Sequence, residues 1–104
     1  MPKVSRTPLK TEESRRIRDA FLKTLALLHT TEEVEEFLED FLTLAEWKMF
    51  MKRLAIAEML IGGKSYATIQ ESLKVGTDTI ARMQTFLQIH GAGMRRMIKQ
   101  LQKR

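Results

Sequence analysis

Residues 65–90 read SYATIQESLKVGTDTIARMQTFLQIH, from Ser65 to His90, and this stretch decides the fold. Ser65 is a helix-capping type, and Ile69 and Leu73 fall four apart behind it, which predicts a short helix from about Tyr66 to Leu73. Lys74-Val75-Gly76 leaves room only for a tight connection. A second helix then runs from about Thr77 to His90, with Ile80, Met83 and Leu87 inward at spacings of three and four. Helix, tight turn with a glycine, helix is the layout of a helix-turn-helix, here at about 66–90. The exposed start of the second helix is Thr77, Asp78 and Ala81, small or polar residues that let a backbone approach base edges.

Outward from that unit, the pattern stays helical. Gly62-Gly63 ends a helix from about Leu44 to Ile61, because glycine takes the left-handed conformation at little cost. That helix opens on Thr43…Glu46, the spacing of a capping box. Trp47, Phe50, Leu54, Ala57 and Ile61 form one apolar stripe, and Met49, Ile56 and Leu60 lie off it. A helix apolar nearly all round wants burial on both sides, and in so short a chain a subunit interface is one route to it. Thr30…Glu33 repeats the capping spacing before a short helix with Val34, Phe37, Leu38 and Phe41 inward. Earlier still, Thr11 is expected to cap a helix striped by Ile17, Phe21, Leu25 and Leu28. Residues 1–10 hold Pro2, Pro8, Lys3, Arg6 and Lys10 without periodicity and read as a flexible basic arm. On the other side, Gly91-Ala92-Gly93 stops the second helix, and Met94, Met97, Ile98 and Leu101 stripe a last one. The expected class is all-α, six helices in one domain over 11–104, with no strand pattern or internal repeat.

Composition narrows the function. The chain has 104 residues and a net charge of +5. Residues 1–30 carry seven basic and three acidic groups, residues 31–47 seven acidic and none basic, and residues 48–104 eleven basic and three acidic. The basic excess therefore falls on the arm and on the half with the helix-turn-helix, the pattern expected for a polyanion partner. The carboxylates of 31–47 read as a solvated helix face. With no Cys and only His29 and His90, cysteine-based chemistry and most histidine-rich metal sites are excluded. No catalytic constellation or phosphate loop stands out, so no enzyme is expected. Gly62-Gly63-Lys64-Ser65 is not a phosphate loop, since Glu58 occupies the required glycine position and a helix precedes it. Apolar runs are too short and too charged to span a bilayer, and the first residues lack a signal-peptide core. A cytoplasmic protein is the expectation.

From Leu42 onward the sequence resembles the tryptophan repressor superfamily, and in particular its small Trp-repressor-like DNA-binding branch. The residues that carry the likeness are Leu42-Thr43…Glu46, Arg53 to Leu60, Gly63 to Ile69, Leu73 to Arg82 and His90 to Gly93. The resemblance implies a six-helix chain interlocked as a homodimer that sets two recognition helices on a palindromic site in double-stranded DNA. It places Ala67, Thr68 and Gln70 near phosphates or the groove edge, and Thr77, Asp78 and Ala81 opposite bases. Lys64, Lys74 and Arg82 are expected on phosphates. The family's effector pocket maps to Thr43, Arg53, Thr79 and Arg82. Met83 stands there in place of a glycine and Phe86 in place of a serine, which predicts that free tryptophan does not bind. The pocket is then either self-filled or open to another small molecule, and no other cofactor is implied.

The reading is a sequence-specific transcriptional regulator, a repressor in the first instance. The rival is a helical, dimeric protein-interaction module, favoured by the lack of Arg, Asn or Gln at the base-facing positions.

Overall fold

The computed structural model describes residues 8–103. Six helices follow one another: α1 (Thr11–Ala26), α2 (Thr31–Phe41), α3 (Leu44–Ile61), α4 (Tyr66–Leu73), α5 (Thr77–His90) and α6 (Ala92–Gln102). No strand occurs among the described residues. The helices group into two compact units that divide between Phe41 and Leu42. Most of the basic arm, residues 1–7, lies outside the described residues.

Local chemistry accounts for the boundaries. Thr43 opens α3 with a complete capping box: its hydroxyl accepts from the Glu46 amide at 3.1 Å, and its own amide donates to the Glu46 carboxylate at 2.8 Å. Thr30 and Glu33 make the same reciprocal pair ahead of α2, at 3.1 and 3.2 Å. The Ser65 hydroxyl accepts from the Thr68 amide and caps α4. Thr11 does not cap α1. Lys10 occupies the cap position in extended conformation without a side-chain bond, and Thr11 is already helical.

Helix α3 ends in a Schellman motif. Gly63 has φ +80°, the Lys64 amide donates to the Met59 carbonyl, and the Gly63 amide donates to the Leu60 carbonyl, each at 3.0 Å. Gly91 is required for a different reason. A Cβ there would lie 2.5 Å from the Leu87 carbonyl oxygen and 2.9 Å from its Cα, so α5 passes into α6 through a position that admits no side chain.

In the unit from Leu42, α3 packs on α4, α5 and α6, α4 on α5, and α5 on α6. The core is Ile56 and Ala57 from α3, Ile69 from α4, Ile80, Met83 and Leu87 from α5, and Ile98 from α6. Each large side chain among these contributes about 1.5–3 kcal/mol by leaving water. The Phe50–Leu54 stripe of α3 stays 42% and 46% exposed. In the unit ending at Phe41, α1 and α2 bury no residue fully. An aromatic stack joins its two helices, with Phe41 5.7 Å from Phe21 and 5.2 Å from Phe37 between ring centroids.

Candidate DNA-binding face and adjoining cavity

The turn between α4 and α5 is built differently from what its glycine suggests. Lys74 is the left-handed residue, at φ +56°, and its amide donates to the Gln70 carbonyl at 2.9 Å, a single-bond αL stop for α4. Gly76 is extended, at φ −82° and ψ 161°, and serves as the N-cap of α5 without a side-chain bond. Val75 between them packs against the core. The turn thus fixes two short helices on a common apolar support. Ile80, Met83 and Leu87 hold the inner face of α5 in that core, which leaves its outer face free.

Thr77, Asp78, Ala81 and Arg82 are all exposed on α5. Lys64, Ala67 and Thr68 are exposed at the start of α4, and Lys74 is exposed in the turn. Gln70 is half-buried. Thr68 is also engaged locally, its hydroxyl 2.9 Å from that of Ser65. Asp78 sits in the first turn of α5, where a carboxylate is favoured by the positive end of the helix dipole. The arrangement offers small and polar groups at the helix start, with lysines and an arginine around them. That is a surface able to meet a phosphate backbone while side chains reach base edges.

Behind this face lies a cavity of about 670 Å³, bounded by α3, the turn, α5 and α6. Five of the six residues expected around an effector line it: Arg53, Thr79, Arg82, Met83 and Phe86. Thr43 does not, and its hydroxyl caps α3 instead. Met83 is buried at the floor, whereas Phe86 is 49% exposed and tilts toward the His90 ring at 5.5 Å. Sequence reasoning missed Met49, Lys52 and Ile56 on α3, Val75 in the turn and Met94 on α6. The α3 residues could have been found, since 49, 52, 53 and 56 follow one another at helical spacing. Met94 could not, because it is brought in from a separate helix.

With this geometry in hand, comparison with known proteins is decisive. Residues 17–102 match the family model described as Trp repressor protein. The chain belongs to the Trp repressor family. A crystal structure of a candidate Trp repressor from Staphylococcus aureus is similar to it, with a TM-score of 0.80 and 26% identity, over 91% of this chain and 96% of that one. Comparison with curated proteins finds no match. The all-α, six-helix expectation therefore holds, and the fold is Trp-repressor-like. The Trp repressor family is one of DNA-binding regulators. Among the described residues no helix is long and apolar enough to cross a membrane.

Proposed function

We propose that this protein is a sequence-specific regulator of transcription that binds double-stranded DNA as a homodimer and acts as a repressor in the cytoplasm. The observation that carries the reading is the outer face of α5, where Thr77, Asp78 and Ala81 stand exposed on a helix anchored by three buried side chains. Two such helices in a dimer face successive major grooves, so the operator is palindromic with half-sites about 34 Å apart. Asp78 disfavours phosphate and accepts a hydrogen bond from a cytosine amine, which sets a base preference. Lys64, Lys74, Arg82 and the basic arm contact phosphates, and Ala67, Thr68 and Gln70 lie at the groove edge.

The exposed apolar residues support the dimer. Ile17, Phe21, Leu22 and Leu27 on or just after α1, Phe41 on α2, and Phe50 and Leu54 on α3 are all open to solvent in the single chain. Apolar side chains left open one helical turn apart, as Ile17 and Phe21 are on α1 and Phe50 and Leu54 on α3, mark an interaction surface. An interlocked partner covers these faces and makes one domain of 11–104. The protein catalyses no reaction in this reading. The cavity is an effector site, and tryptophan is not its ligand, because Phe86 stands where the resemblance implies a serine, which removes a polar contact, and no carboxylate lines the cavity to receive an ammonium.

Gel retardation on genomic fragments, with salt and competitor titration, tests the function. Specific retention at physiological salt supports it. Uniform weak retention overturns it in favour of a dimeric protein-interaction module, and sedimentation of the free protein tests the dimer.

A further inference from the structure

We propose that the cavity takes a doubly anionic small molecule with an apolar body, a dicarboxylate or a phosphomonoester, and rejects free amino acids. This rests on reading the cavity as an effector site. Three cations, Lys52, Arg53 and Arg82, border the cavity, and no carboxylate lines it. None of the three is in an ion pair among the described residues, where the pairs are Arg16–Glu13 and Arg18–Asp19. The Arg53 guanidinium lies 5.7 Å from the centre of the Phe50 ring, a contact that holds the group without neutralising it.

Like charges gathered on one rim repel, and an anion that bridges them relieves the repulsion. A single carboxylate leaves a large positive surplus, whereas a head with two negative charges balances most of it. A zwitterionic amino acid fits worse, because its ammonium meets three cations and no acidic acceptor. The apolar half of the ligand follows from the floor. Ile56, Met83 and Met94 with the Phe86 ring form a surface whose thioethers adapt to varied shapes. A phosphate of a DNA backbone can meet the cations but has nothing to place on that floor. The volume of about 670 Å³ suits a small organic molecule.

Calorimetric titration of the full chain, without DNA and at physiological salt, tests the proposal with five probes: benzylsuccinate, 2-naphthyl phosphate, 2-naphthylacetate, L-tryptophan and inorganic phosphate. The two apolar dianions are expected to bind at least about tenfold tighter than the monoanion, the zwitterion or inorganic phosphate, the scale of one added charge-assisted contact. Lys52→Gln is expected to lose about that factor for the dianions only, with its fold checked by thermal unfolding. Tryptophan binding as tightly as the dianions, equal affinity for mono- and dianions, or an unaffected Lys52→Gln variant each overturns the proposal. Because no DNA is present, failure here is separate from failure of the regulator reading, which gel retardation reports.

Discussion

The helices up to Phe41 carry apolar stripes of Leu and Phe, and those from Leu44 carry stripes of Leu, Ile and Met, yet only the second set closes a core. In α3 to α6, each helix gives at least one residue to a closed core, and that core holds α4 and α5 against one another and against α3. In α1 and α2, the same kinds of residue remain half-buried or open. Patterning alone tells a helix which face is apolar, not where the other half of the core comes from. The second unit finds that half within itself. The first, in our reading, finds it in another copy of the chain, which also covers the Phe50–Leu54 stripe that α3 leaves exposed.

The largest break in this comparison comes from charging the pairing surface. Phe21→Asp puts a carboxylate against apolar side chains of the proposed dimer, at a cost of several kcal/mol for an unpaired buried charge. The variant is expected to sediment as a monomer. It also loses helical circular dichroism from the first unit, since helices of this length are marginal alone. Specific retention of DNA disappears with the second reading head. A dimeric Phe21→Asp variant with unchanged dichroism would show that the first unit needs no partner.

Ile80→Ala acts on the other module. The side chain is fully buried between helices of the second unit, and its truncation costs about 2–5 kcal/mol through reduced burial and the cavity left behind. Thermal or urea unfolding checks this. The dimer is expected to survive at concentrations where the folded form persists, so sedimentation stays dimeric while stability falls. Dissociation in parallel with the destabilisation would show that the proposed dimer and the core of the second unit unfold together.

Thr43→Ala is a smaller perturbation, placed where the second unit begins. It removes the hydroxyl that caps α3 and leaves the Glu46 amide without its partner. The expected loss is about 1 kcal/mol of stability, read from the denaturant midpoint. The same variant sharpens the effector site, because Thr43 lies off the cavity. Affinity for an apolar dianion is expected to stay within about twofold, as for any substitution away from the binding surface.

How far the sequence carries these conclusions depends on the range of the interaction. Capping boxes at Thr30 and Thr43, the stop at Gly63 and the inward set Ile80, Met83 and Leu87 are all legible, because each is decided within one or two turns of chain. Thr11 is misread as a cap since nothing nearby discriminates it from Lys10, whose extended backbone takes the position. On α6, the stripe of Met94, Met97, Ile98 and Leu101 looks uniform, yet Ile98 alone is buried while Met97 is 61% exposed. Periodicity marks a face, whereas the neighbouring helices decide how much of it is covered. The cavity shows the same division. Its arginines are found by resemblance and Lys52 is within reach by helical spacing, whereas Met94 is not, because its place depends on where α6 comes to rest.

The finest distinction concerns the turn between the two reading helices. A glycine at 76 draws attention in the sequence, but Lys74 is the residue held at positive φ. An L-residue in that conformation is disfavoured by about 1–2 kcal/mol. Lys74→Gly relieves that cost and adds about 0.5–1 kcal/mol of backbone entropy to be surrendered on folding. The two nearly offset, so stability is expected to be unchanged or to rise by up to about 1 kcal/mol, against the usual fate of a substitution at a turn. Binding moves the other way. Without the Lys74 ammonium one phosphate fewer is neutralised, which lowers affinity for specific and non-specific DNA alike. The dependence of log K on log salt flattens by about 0.9 for that one phosphate. Unfolding and salt-titrated gel retardation on one preparation therefore separate the two roles. A stabilised variant with an unchanged salt slope would leave Lys74 as a strained turn residue and remove it from the DNA-binding face.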